Sequence, residues 1–260
     1  VSTYFLIKSI KSIKNNKLLN WSGYIIFTVI GLYTHYLFEI LLFFHITYLL
    51  YHLLFFEKIS ISKLFSSLLN KQSIIRKLFY VFLIIALFSS PIIPRVFWNS
   101  NIEPTWTPPS MQNTIKIFLN FASYIYPSEQ GKEYVKQFLF FNLNLTDKIL
   151  FLSVMVTAFF SYIVIGYLIY SKIKKQSFKG FIFQDRAMVF LLGWFLFPII
   201  FSLFVSYTLR VYIFHTFRYF FYSLPAFIIL LSKGFLSITP KRMQKFFIII
   251  YTVISLIPLA

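Results

Sequence analysis

Arg218 and His215 stand three residues apart within VYIFHTFRYFFYSLPAFIILLSKGF, residues 211–235. The stretch is apolar and longer than the roughly 20 residues that cross a bilayer as a helix. Tyr212, Tyr219 and Tyr222 lie on the neighbouring turns. A guanidinium inside or at the edge of hydrocarbon costs several kcal/mol, roughly 2.5 to above 10, unless an anion meets it. Arginine offers a planar fork of donors that grips phosphate through two hydrogen bonds. At headgroup depth the natural anion is a lipid phosphate, with His215 and Tyr219 as further donors. The plain alternative is snorkelling, in which Arg218 only reaches up to the headgroups. Arg210, at the preceding turn, fits that alternative better.

A second constellation is His35 and Glu39, four residues apart and so on one helix face. Glu39 is the only acid inside any predicted span. A buried carboxylate must pair or take up a proton. It therefore serves an outward-facing polar site or proton transfer, or it pairs structurally with His35 or an arginine. Tyr36 and Trp106 are grouped with this outer-face site. His45 and His52 are seven residues apart and form no short ligand pair of the HExxH kind. With no cysteine in the chain, neither a disulfide framework nor a thiolate metal site is available. No metal or other cofactor is expected.

These groups need spans to hold them. Of 260 residues, 58% are hydrophobic and only 12% charged, with a mean hydropathy of +0.75. Soluble domains carry about a quarter charged residues. The composition is that of a polytopic membrane protein, all-α, with about 7–8 spans in one membrane domain over 1–260. VSTYFLI reads as the tail of one span. Residues 21–56 form a tight hairpin broken at GLYTHY, 31–36. Further spans are expected over 77–93, 149–170, 187–208 and 211–235, with Pro225 bending the last, and another begins at 246. Residues 94–148 form the longest polar section, an extracytoplasmic segment. Within it Ile115, Phe118, Leu119 and Ala122 are spaced as one face of a helix lying on the membrane.

The net charge of +18 is distributed by side. Lys8, Lys11, Lys14 and Lys17 fill one loop, and Lys58, Lys63, Lys71, Arg76 and Lys77 the next. Lys172, Lys174, Lys175, Lys179 and Arg186 fill a third, and Lys233, Lys241, Arg242 and Lys245 a fourth. The intervening loops hold little net charge. This alternation makes the basic loops cytoplasmic by the positive-inside rule. It explains the charge without nucleic acid, which is not expected as a partner. It also puts the hairpin tip, the 94–148 segment and the Arg218 end of 211–235 on the opposite side.

Four stretches, taken in order, resemble glycosyltransferases of family 39 type in the GT-C membrane superfamily. That group includes protein O-mannosyltransferases and the lipid A aminoarabinose transferase. VSTYFLIKSIK is similar to the basic-ended helix after the family's first membrane block. GLYTHYLFEILLFFHITYLLY is similar to its LYTHYF hairpin. SSPIIPRVFWNSNIEPTWTPPS resembles its Pro- and Trp-rich segment. FHTFRYFFYSLPAFIILLSKGF resembles its P-x-RY…PA…G helix, matched at Arg218, Tyr219, Pro225, Ala226 and Gly234, with His215 where a proline is often seen.

The resemblance implies transfer of a sugar from a polyprenyl-phosphate donor to an acceptor on the outer face of the cell membrane. It implies an aspartate in the first outer loop as general base. The text opens on Val1 within an apolar run, and the chain is read as the C-terminal part of a longer protein whose missing portion holds that base. No residue present is assigned as catalytic. Two other classes remain open: a transporter or flippase for lipid-linked saccharides, and a structural membrane subunit. A transporter of that kind commonly carries repeats or broken helices in corresponding halves.

Overall fold

The computed structural model describes residues 1–11, 18–34, 38–60, 74–92, 117–118, 145–209 and 217–256. All regular elements among them are helical. They are α1 (Ser2–Lys11), α2 (Leu18–Thr34), α3 (Phe38–Tyr51), α4 (Ile74–Ser89), α5 (Leu145–Gln184), α6 (Arg186–Leu209), α7 (Leu224–Ser237) and α8 (Lys241–Leu256). A π-helical turn, His52–Phe56, prolongs α3, and 3-10 turns follow α4 and precede α7. The chain divides into two compact units, Val1–Pro104 and Thr105–Ala260.

In the first unit α1 and α4 both pack on α2. Leu6, Trp21, Tyr24, Leu32, Leu49 and Leu53 form a core with Ile75, Leu78, Val81 and Ile85. The α4 members recur every three or four residues, which gathers them on one helical stripe. Gly23 allows the close approach of α1: a β-carbon there would lie 2.6 Å from the Phe5 ring. The hairpin expected at 31–36 is present, with α2 ending at Thr34 and α3 starting at Phe38. Tyr33 Oη donates to the Phe88 carbonyl at 3.0 Å. That bond brings the C-terminal ends of α2 and α4 to the same end of the unit.

In the second unit α5, α6 and α7 share a core of Val164, Ile165, Leu168, Phe181, Met188, Phe195, Phe220, Phe227 and Leu230. Phe195 of α6 and Phe227 of α7 meet with ring centroids 5.5 Å apart. α8 lies against α5 through Phe160, whose ring is 5.5 Å from Phe247 and 6.1 Å from Tyr251. Gly234 of α7 faces Val164 of α5 so closely that a β-carbon would sit 2.6 Å from Val164 Cγ1. Small residues at helix crossings are how membrane helices gain van der Waals contact.

Two expectations are corrected. Four stretches among the described residues are long and apolar enough to cross a membrane, not seven or eight: Phe38–Phe56, Leu152–Gln184, Arg186–Thr208 and Phe220–Ser237. The described parts of α2, α4 and α8 have 17, 16 and 16 residues. α8, where a last span was expected, has no fully buried residue. Pro225 also does not bend a continuous helix. It sits in the first turn of α7, after the 3-10 turn Phe217–Ser223. A proline lacks an N–H that the first turn of a helix does not need, so it starts α7.

Candidate functional site

Arg218 and Tyr219 belong to the 3-10 turn Phe217–Ser223, and their side chains lie outside the described residues. So do His215, His35, Tyr36 and Trp106. What is described is how Arg218 is carried. Phe220 and Ser223 of the same turn are both 0% exposed, and Phe220 belongs to the core of the second unit. The turn is thereby pinned to α6 and α7 two residues from Arg218.

α6 and this turn carry further buried polar atoms. Trp194, Pro198 and Ser202 follow at four-residue steps on one face of α6. Trp194 Nε1, Ser202 Oγ and Ser223 Oγ are buried without hydrogen-bond partners. Pro198 has no N–H, so the carbonyl of Trp194 loses its helical donor as well. The Phe195–Phe227 contact sets the level: Ser223 lies one turn above Phe227, and Ser202 about two turns above Phe195. Trp194 and Ser202 stand about 12 Å apart along α6, since each helical residue rises about 1.5 Å. An unpartnered polar atom in an apolar interior costs roughly 1–3 kcal/mol. Such groups are chemically suited to receive hydroxyls.

Glu39 is half-buried in the first turn of α3. It stands at the end of the span and not within its apolar middle. It belongs to the first unit and Arg218 to the second.

The polar centre of the first unit is His45, which the sequence raised only as a metal-ligand candidate. His45 is 0% exposed. Its Nε2 is 3.2 Å from Thr3 Oγ1 and its Nδ1 is 3.3 Å from Tyr24 Oη. A neutral imidazole has one N–H and one bare nitrogen, so one hydroxyl accepts and the other donates. Ser2 Oγ and Thr28 Oγ1 pair beside them at 2.7 Å. The network joins α1, α2 and α3. Its signal in the sequence was a histidine amid apolar residues of a span, but its partners come from helices 21 and 42 residues away.

In the second unit Ser153, Thr157 and Ser161 form a buried stripe on α5. Ser161 Oγ donates to the Thr157 carbonyl at 2.8 Å and lies 3.2 Å from Tyr251 Oη of α8. Tyr162 Oη donates to the Phe118 carbonyl at 2.7 Å. Ile117 is 2% exposed in the same core. This part of the 94–148 segment thus packs beside the middle of α5, where Tyr162 satisfies a backbone carbonyl that lies among apolar groups. The rest of that segment up to residue 144 lies outside the described residues.

Comparison with known proteins finds no matching family model, no matching curated protein and no matching solved structure.

Proposed function

We propose that the chain is part of a membrane glycosyltransferase of the GT-C kind, transferring a sugar from a polyprenyl-phosphate donor on the outer face of the cell membrane. What supports this reading is that Arg218 belongs to a turn whose Phe220 and Ser223 are fully buried, and that the same unit carries buried hydroxyl and indole groups without hydrogen-bond partners. A cation suits the phosphate of the donor, and hydroxyl and indole groups suit the hydroxyls of its sugar. Departure of the sugar leaves charge on the phosphate, which a guanidinium stabilises. His215 and Tyr219 are the further donors on this reading, and no general base is assigned. The ordered likeness of four stretches to family 39 supports it independently. The sugar and the acceptor are left open.

The test is sugar transfer from a polyprenyl-phosphate donor by the full protein in membranes. Arg218→Ala abolishes most of the transfer while the protein remains folded and inserted. Arg218→Lys keeps the charge, loses the two-pronged geometry and retains only a small part of the rate. Arg210→Ala has little effect. Equal, near-normal transfer by Arg218→Ala and Arg210→Ala overturns the phosphate role and leaves snorkelling as the account of Arg218.

A further inference from the structure

The turn joining α5 to α6 is unusually well fixed. About 20 residues complete a crossing, so a helix entering the hydrocarbon at Leu152 leaves it near residue 171. From Lys172 the chain is at the membrane surface. At Ser177 the backbone adopts φ 62°, ψ 163°, a strained region that residues other than glycine rarely adopt. This breaks α5 and redirects its last turns. Gly180 N–H donates to Ser177 Oγ at 3.3 Å, which caps the redirected piece. Asp185 then closes the turn. Its Oδ2 accepts from Lys172 Nζ at 2.9 Å and its Oδ1 from the Met188 N–H at 3.2 Å. Phe181 points into the core and is 5% exposed.

Lys174, Lys175 and Lys179 are exposed around this turn. So are Phe178 and Phe183, at 61% and 43%. Asp185, the one acid between residues 172 and 186, is already paired with Lys172. The surface therefore combines three exposed lysines, Lys174, Lys175 and Lys179, with two exposed aromatic rings, at the level where a span leaves the bilayer.

We propose that this turn is a binding surface for anionic phospholipid. The three lysines take the phosphates of neighbouring headgroups, and Phe178 and Phe183 seat among the glycerol and upper acyl carbons. A basic residue at an anionic membrane surface contributes on the order of a fivefold preference. The exposed rings favour lipid over a soluble acidic partner, because a soluble partner would leave them with no apolar phase. The inference is independent of sugar transfer.

The experiment uses the whole chain in nanodiscs containing equal amounts of phosphatidylcholine and phosphatidylglycerol, with brominated acyl chains on one or the other. A Phe178→Trp variant reports the lipid beside it through quenching. The parent protein, with Trp21, Trp98, Trp106 and Trp194, supplies the background. Greater quenching of the added tryptophan by brominated phosphatidylglycerol is expected, and high salt reduces the difference. Lys174→Gln, Lys175→Gln and Lys179→Gln together remove the preference and leave the quenching. Equal quenching by both lipids overturns the anionic preference. No quenching above the parent overturns lipid contact altogether and points to water or a soluble partner. Phe183→Trp gives the same readings if Phe178→Trp does not fold.

Discussion

Gly234 offers the most direct test of how α5 and α7 fit together. A β-carbon there would lie 2.6 Å from Val164 Cγ1, 2.9 Å from the Val164 carbonyl oxygen and 3.2 Å from its carbon. Optimal separations between carbons are about 3.5–4.0 Å. Valine has essentially one χ1 rotamer in a helix, so its methyl does not swing away at low cost. The carbonyl belongs to the backbone of α5 and cannot move alone. Relief requires the helices to part by a good fraction of an ångström, which weakens contacts along the whole crossing. Overpacking of this kind costs roughly 1–3 kcal/mol. Against it, replacing glycine by alanine in a helix gains up to about 1 kcal/mol. Gly166 isolates that gain: it lies on α5 two residues from Val164, and a β-carbon there meets nothing within 4 Å. The expected result is that Gly234→Ala is less stable than Gly166→Ala by roughly 1–3 kcal/mol, because the propensity gain is common to both. For a unit of this size the melting temperature shifts by about 2–4 °C per kcal/mol. Thermal unfolding of the detergent-solubilised protein, followed by the monodisperse peak in gel filtration, ranks the two variants. Adding Val164→Ala to Gly234→Ala removes the 2.6 Å clash and recovers part of the loss, as a favourable coupling. Gly234→Ala as stable as Gly166→Ala, or more stable, would refute the close crossing.

Three further outcomes are expected. Tyr24→Phe removes the hydroxyl that meets His45 Nδ1 and leaves a buried nitrogen without its partner, which lowers stability by roughly 1–3 kcal/mol; unchanged thermal unfolding would show that the network contributes nothing. Asp185→Ala removes both the cap of α6 and the partner of Lys172, for roughly 0.5–2 kcal/mol, whereas Lys172→Gln removes only a half-exposed ion pair and costs less than about 1 kcal/mol; the reverse order in the same melting assay sinks that account of the turn. For orientation, Lys174→Cys in this cysteine-free chain resists an impermeant thiol reagent in intact cells and reacts once the membrane is opened. Labelling in intact cells reverses the assignment of sides.

Much of the architecture is legible without coordinates, because apolar length and charge alternation are local properties. The break between Thr34 and Phe38, the turn at Asp185 and the break before α8 each fall where apolar runs meet polar residues. The number of spans was not legible. Hydropathy accumulates along a run whether or not the run stays helical, so the stretch 211–235 read as one helix although Phe217–Ser223 is a 3-10 turn and Pro225 begins α7. Residue type alone raised Arg218 and Glu39, since a charge in an apolar run is costly wherever it stands. It could not separate Glu39, at the dipole end of α3, from a group deep in a span. Nor could it find the groups whose meaning lies in their neighbours. His45 becomes a hub only when Thr3 and Tyr24 are brought to its two nitrogens. Ser202 and Ser223 become buried without hydrogen-bond partners only when α6, α7 and the turn between them pack together. Gly234 stood in a motif as a letter, and the crossing with Val164 gives it a reason. Hydrophobicity and charge act residue by residue and are written in the sequence. Hydrogen-bond satisfaction and close packing depend on which helices meet, and that is decided only when the whole chain is folded.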